Sequence, residues 1–184
     1  MDKKMIGKAH IVTNPTVIVG ALVKGKINYL TLGHCGAMSM NPPVVYISCN
    51  KAHYTNAGIK ENGYFSVNIP SPDLVLKTDY VGLVSGKDTD KSDVFTAFYG
   101  SVDKAPMVDE CRACILCKLI DTVDLPNNEI FIGEIVETYV NEDCLTDEKQ
   151  DIRKIDPILL ADGYSRLGEK CGNAFADGRA LIKK

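Results

Sequence analysis

The chain has 184 residues, enough to bury a sizeable core within one domain, 1–184. Hydrophobic residues make up 45% and charged residues 24%, the balance of an ordinary soluble globular protein. A net charge of −3 carries no basic signature for nucleic acid or an anionic membrane surface, and no apolar run approaches the ~20 residues that span a bilayer. The opening MDKKMIGKAH has lysines but no apolar stretch, so it does not read as a secretory signal. A cytoplasmic setting follows as an expectation, with the seven cysteines reduced and mostly buried as small hydrophobes.

In chain order, His10-Ile11-Val12 is a short edge-strand candidate. Thr16 to Val23 (TVIVGALV) is nearly continuous and β-branched, the pattern of a buried strand. Lys24-Gly25-Lys26 makes a polar turn, and Ile27 to Leu32 completes a hairpin. Gly33 to Asn41 (GHCGAMSMN) is small, polar and without a period, and reads as a loop. Pro42 and Pro43 bar a helix and lead into the strong strand Val44 to Cys49. His53 to Asn62 is helix-like, with Asn62-Gly63 as a left-handed cap, and Tyr64 to Ile69 is a strand stopped by Pro70.

The second half opens with Asp73 to Val84, where Leu76, Tyr80, Leu83 and Val84 recur at helical spacing. Lys87 to Ser92 reads as a charged surface loop and Val94 to Phe98 as a helical turn. Ala113 to Leu119 and Glu129 to Tyr139 are strands joined as a hairpin around Asp124 to Asn128, with Ile130, Ile132, Glu134 and Val136 on one face. Glu142 to Asp151 is acidic and exposed, Ile158 to Ala161 a last short strand, Cys171 to Leu181 a small-residue helix, and Lys183-Lys184 a free tail. Many strands with a few helices and no strict βαβ alternation exclude a Rossmann sheet. They predict an antiparallel barrel with helices outside.

The densest chemistry lies between Gly25 and Ser71. Gly33, Gly36, Ala37 and Ser39 let a flat ligand approach the backbone closely. The next strand ends in Ser48-Cys49-Asn50-Lys51 and runs into a helix start at His53, Tyr54 and Thr55. Hydroxyls and a lysine beside a helix N-terminus favour a phosphate. A flat ring near the first segment and a phosphate near the second describe a flavin mononucleotide (FMN) site.

The ordered set of motifs resembles the flavin reductase-like, FMN-binding split-barrel family, in its flavoredoxin-type branch. The matching text is G-K-x-N-x-x-T at Gly25 to Thr31, M-S-x-N-P-P-V-V at Met38 to Val45, and I-S-x-x-K at Ile47 to Lys51. It continues with H-Y-T-x-x-x-I-x-E-N-G-x-F-x-V-N at His53 to Asn68, S-G-x-D-x-D-K at Ser85 to Lys91, and DGYSRLG at Asp162 to Gly168. The resemblance implies a mainly β Greek-key split barrel with flanking helices and a homodimer with two FMN sites at its interface. It also implies electron transfer through FMN, fed by NAD(P)H or by a redox protein. Asn28, Thr31, His34, Cys35, Gly36, Ala37, Met38 and Ser39 would lie near the ring, and Ser48, Cys49, Asn50, Lys51, His53, Tyr54 and Thr55 near the phosphate. Ser85, Gly86 and Lys91 would approach from a third loop. No catalytic acid, base or metal ligand is called for, because the flavin carries the chemistry.

Two alternatives stay open on the sequence. One is a flavin-binding protein of this fold without enzymatic turnover. The other is an iron–sulfur or redox-sensing protein using Cys111, Cys114 and Cys117, a C-x₂-C-x₂-C run. Strand alternation argues against the second, because it sends Cys114 and Cys117 to opposite faces. Walker A, G-x-G-x-x-G and G-x-S-x-G are all absent from the sequence.

Overall fold

A computed structural model describes residues 3–8 and 13–182. The elements are β1 (Asn14–Pro15), β2 (Val17–Val23), β3 (Lys26–Leu32), β4 (Cys35–Met40), β5 (Pro43–Asn50), α1 (Thr55–Asn62), β6 (Tyr64–Ile69), α2 (Val75–Leu83), β7 (Ala97–Phe98), β8 (Met107–Val108), β9 (Ala113–Asp124), β10 (Asn128–Val140), β11 (Leu145–Thr146), β12 (Lys149–Gln150), α3 (Ile152–Ile155), β13 (Ile158–Leu160) and β14 (Tyr164–Arg166). Seven strands form one sheet in the order β3-β2-β6-β9-β10-β5-β4, with every pair antiparallel. The sheet curls until β3 approaches β5, but β3 and β4 stay as edges, so the barrel is split.

Both faces of this sheet are covered, which explains why β2 is apolar without interruption. Val17, Val19 and Ala21 join Ile47, Phe65 and Phe131 inside the barrel. Ile18 points the other way, into a second cluster with Tyr29, Val81, Met107 and Leu116. That outer cluster lies beneath α2 and the 94–108 segment. Helix α1 packs against β2 so closely that a Cβ at Gly58 would sit 2.1 Å from the Leu22 carbonyl oxygen. Gly63 closes α1 at φ 68° with its N–H on the Ile59 carbonyl, as Asn62-Gly63 predicts.

Most strand expectations match within a residue or two, and five readings are corrected. The 33–41 segment is not a loop: Cys35–Met40 forms the edge strand β4, with a bulge between Ala37 and Ser39. Its own residues are poor strand formers, and pairing with the strong strand β5 supplies the order. The Val94–Phe98 stretch gives no helical turn, because Ala97 and Phe98 pair with Val108 and Met107. In the 171–181 stretch only a 3-10 turn forms, at Asp177–Leu181, since Gly172 and Gly178 weaken a helix there. Lys91, read as part of a surface loop, is 3% exposed. Finally, α2 is preceded by a 3-10 turn at Pro72–Leu74 and turns Thr78 and Val81 inward, leaving the periodic stripe Leu76, Tyr80 and Leu83 in solvent. Within the acidic 142–151 stretch, Cys144 is buried beside the small hairpin β11–β12. The proposed strand at His10-Ile11-Val12 and the tail Lys183-Lys184 lie outside the described residues.

Alternation along β9 separates the cysteine run. Cys111 and Cys114 belong to the outer cluster and Cys117 to the barrel interior. Among the described residues, no group of three or more His, Cys, Asp or Glu side chains is arranged to hold a metal ion. No described helix is long and apolar enough to cross a membrane.

Candidate functional site

The end of β5 and the start of α1 are wired into a tight turn. Asn50 accepts from the Ala52 N–H through Oδ1 and from the His53 N–H through its carbonyl. Asn56 Nδ2 reaches back to the same carbonyl and to Glu129. This fixes His53, Tyr54 and Thr55 against β3, where buried Asn28 donates from Nδ2 to Thr55 Oγ1 at 2.7 Å. The Thr55 oxygen thus accepts, which leaves its hydroxyl hydrogen to donate.

From the opposite side comes the loop that follows α2. Gly86 presses on this pair so closely that a Cβ there would lie 1.9 Å from Asn28 Oδ1 and 2.9 Å from the Tyr54 ring. Ser85 pins the loop's return, its carbonyl accepting from the N–H groups of Asp88 and Thr89. Lys91 then runs inward. Its ammonium donates to the Tyr29 carbonyl at 2.9 Å and to the Val81 carbonyl at 2.8 Å. Val81 lies in the last turn of α2, where carbonyls lack helical partners, so the cation also meets the negative end of the helix.

Leu30, His53, Tyr54, Thr55, Ser85, Gly86 and Lys91 line one cavity of about 190 Å³. A wider cleft of about 320 Å³ shares Tyr54, Gly86 and Lys91 with it and extends along Lys24, Lys26, Asn28 and Lys87. Burial, and then the charge of Lys91, lower the pKa of His53 and favour the neutral ring. Its buried Nδ1 has no hydrogen-bond partner. Burial pushes Lys91 down to about 8.

A third cavity, about 470 Å³ and open to solvent, lies across β5. His34, Tyr46, Ser48 and the β9–β10 turn at Leu125, Pro126, Asn127 and Asn128 line it. Ser48 N–H donates to the His34 carbonyl and Ser48 Oγ accepts from Asn128 Nδ2 at 3.1 Å. Gly36 of β4 lies against the Tyr46 ring.

The structure thus divides the sequence-predicted residues. Asn28, His53, Tyr54, Thr55, Ser85, Gly86 and Lys91 converge on the paired cavities. His34 and Ser48 line the open one, with Cys35, Gly36, Ala37, Met38 and Ser39 on the adjoining edge strand. Four lie apart. Thr31 binds the Thr78 carbonyl and ties β3 to α2. Cys49 is fully buried in the barrel, its thiol pushed up to about 12 by burial. Asn50 serves the turn, and Lys51 pairs with Asp124 at 2.6 Å while its N–H donates to the Asn127 carbonyl. Cys35 is likewise raised by burial to about 12 and stays a thiol at neutral pH. Sequence reasoning missed Tyr46, Asn128 and the lysines Lys24, Lys26 and Lys87. The Asn127-Asn128 turn was visible, but its return onto β5 depends on the register Asn128↔Asn50, which joins distant segments.

Comparison with known proteins gives a consistent result. A family model described as flavin reductase like domain matches residues 9–165. Among solved structures, the chain is similar to a flavoredoxin from Methanosarcina acetivorans, at 42% identity and a TM-score of 0.94, over 99% of this chain and 100% of that one. It is also similar to the flavoredoxin of Desulfovibrio vulgaris (Miyazaki F), at 34% identity and 0.89, over 96% and 100%. An uncharacterized protein of Archaeoglobus fulgidus is 28% identical over 129 residues, 69% of this chain and 72% of that protein.

Proposed function

The chain belongs to the flavin reductase-like family, and from that premise we propose that it is an FMN-dependent electron-transfer protein of the flavoredoxin or flavin reductase type. The observation that carries the reading is the cavity beneath Gly86. There, buried Lys91, His53 with its unpartnered Nδ1 and the Thr55 hydroxyl face a backbone wall with no room for a side chain. This donor set fits the single phosphate of FMN, which is mostly dianionic at neutral pH and needs several charge-assisted bonds. When bound, FMN supplies a ring that takes up and releases electrons.

The protein's part is to bind, orient and shield. Asn28 fixes the Thr55 hydroxyl, and the turn at Asn50 fixes His53. The edge strand β4, with Cys35, Gly36, Ala37, Met38 and Ser39, and the cavity at His34 and Ser48 offer small residues and main-chain groups to the ring. Lys51, on the turn after β5, lines neither cavity and pairs with Asp124. No side chain is assigned a proton transfer, and Cys35, held as a thiol, is no nucleophile. The whole chain acts as one domain in a homodimer in the cytoplasm, with NAD(P)H or a reduced redox protein as donor.

Anaerobic mixing of the FMN-loaded protein with NADH, NADPH or reduced ferredoxin, followed by flavin absorbance, tests this. Bleaching by one of them is expected. Bound flavin that none of them reduces would make the protein a flavin carrier and contradict the electron-transfer assignment.

A further inference from the structure

After β14 the chain continues as an arm. Every residue from 167 to 182 is exposed, although the arm carries Phe175 at 97% exposure, Leu181 at 86% and Ile182 at 72%. It nonetheless has an internal structure. Asn173 donates to the Asp177 carboxylate from its N–H and its side-chain amide, at 2.8 and 3.2 Å, and a 3-10 turn follows at Asp177–Leu181. Among the described residues, the body reaches the arm by one hydrogen bond, from Arg153 Nη1 to the Gly168 carbonyl at 3.0 Å.

A second apolar surface of the same chain is equally unmatched. On α2, Leu76, Tyr80 and Leu83 form an i, i+4, i+7 stripe that is 84%, 41% and 76% exposed. The two surfaces share an origin. Tyr164, in the strand from which the arm departs, donates from its hydroxyl to Asp79 of α2 at 2.8 Å.

The match to the family model stops at residue 165, before the arm. The two flavoredoxins nevertheless superpose over 99% and 96% of the chain, too much for the arm to be missing from the match. The arm therefore buries no side chain in its own chain, although the match to both flavoredoxins runs through it.

We infer that the arm docks on a second copy of this chain, with Phe175, Leu181 and Ile182 of each copy covering Leu76, Tyr80 and Leu83 of the other. Because α2 and the root of the arm are neighbours, a two-fold axis beside them lets both arms cross reciprocally, as a self-complementary interface requires. This rests on the dimer reading above and adds the segment that makes the dimer.

Phe175→Asp and Leu76→Asp alter side chains that are exposed in the single chain, so both variants keep the fold, checked by circular dichroism. Sedimentation over a concentration series should show a dimer for the unaltered protein and a dissociation constant at least tenfold higher for each variant. A photo-crosslinker on the exposed Cys171, in a mixture of isotopically heavy and light copies, should map to α2 of the other copy. Folded variants that dimerise as tightly as the parent, or crosslinks confined to one copy, would overturn the arm while leaving the dimer. A parent protein that stays monomeric at every concentration would overturn both.

Discussion

Replacing Lys91 by Met tests how the loop that closes the candidate site is held. Methionine matches the length of the apolar stem but donates nothing, so the carbonyls of Tyr29 and Val81 lose their partner. Two bonds to a charged donor contribute roughly 3–6 kcal/mol together. Against this stands the cost of burying the ammonium. A fall in pKa from 10.5 to about 8 corresponds to about 3 kcal/mol. The net loss at neutral pH is therefore up to about 3 kcal/mol. The pH dependence is sharper. Below pH 8 folded and unfolded chains both hold the proton, so the residue adds no slope. Between 8 and 10.5 the unfolded chain binds a proton that the folded one has released, so stability rises with pH. Urea unfolding at pH 7.5 and 9.5 should show the gap between the parent and Lys91→Met widening by about 2 kcal/mol in the parent's favour. Parallel stability curves would refute the buried, ionisable role of Lys91.

Four further outcomes follow from the same geometry. Gly86→Ala drives a methyl group into Asn28 and Tyr54 and should weaken FMN binding at least tenfold in a fluorescence titration. Thr55→Val should weaken FMN about tenfold, the worth of one charge-assisted bond, and leave riboflavin, which lacks the phosphate, almost unchanged. Lys51→Ala should weaken FMN less, because its ammonium already pairs with Asp124, and should shift stability by less than about 1 kcal/mol. Cys114→Ser puts a more polar hydroxyl where a buried thiol contacts the Val108 carbonyl. It should cost about 1–2 kcal/mol in urea unfolding with flavin content intact.

What was legible in the sequence was local. The β2–β3 hairpin, the β-branched strands, the Gly63 cap and the opposite facing of Cys114 and Cys117 all follow from spacing of two or from turn chemistry. The misreadings share one cause, contacts made far along the chain. Strand β4 is ordered by β5 and not by its own small residues and methionines. The apolar stripe of α2 resembles a buried face, but Thr31 on β3 meets Thr78 and Gly82 and so chooses the other side. Lys91 sits in a charged run, and only the approach of α2 to β3 reveals that its ammonium has two buried acceptors. For the site, motif order located both halves. Periodicity offered no sign that Lys51 turns to Asp124 while Thr55 turns to Asn28.

The most direct test is the flavin content of the purified protein. Its visible spectrum should show oxidised flavin bands, and denaturation should release one FMN per chain, identified by chromatography against FAD and riboflavin. A colourless protein that fails to take up added FMN would contradict the account.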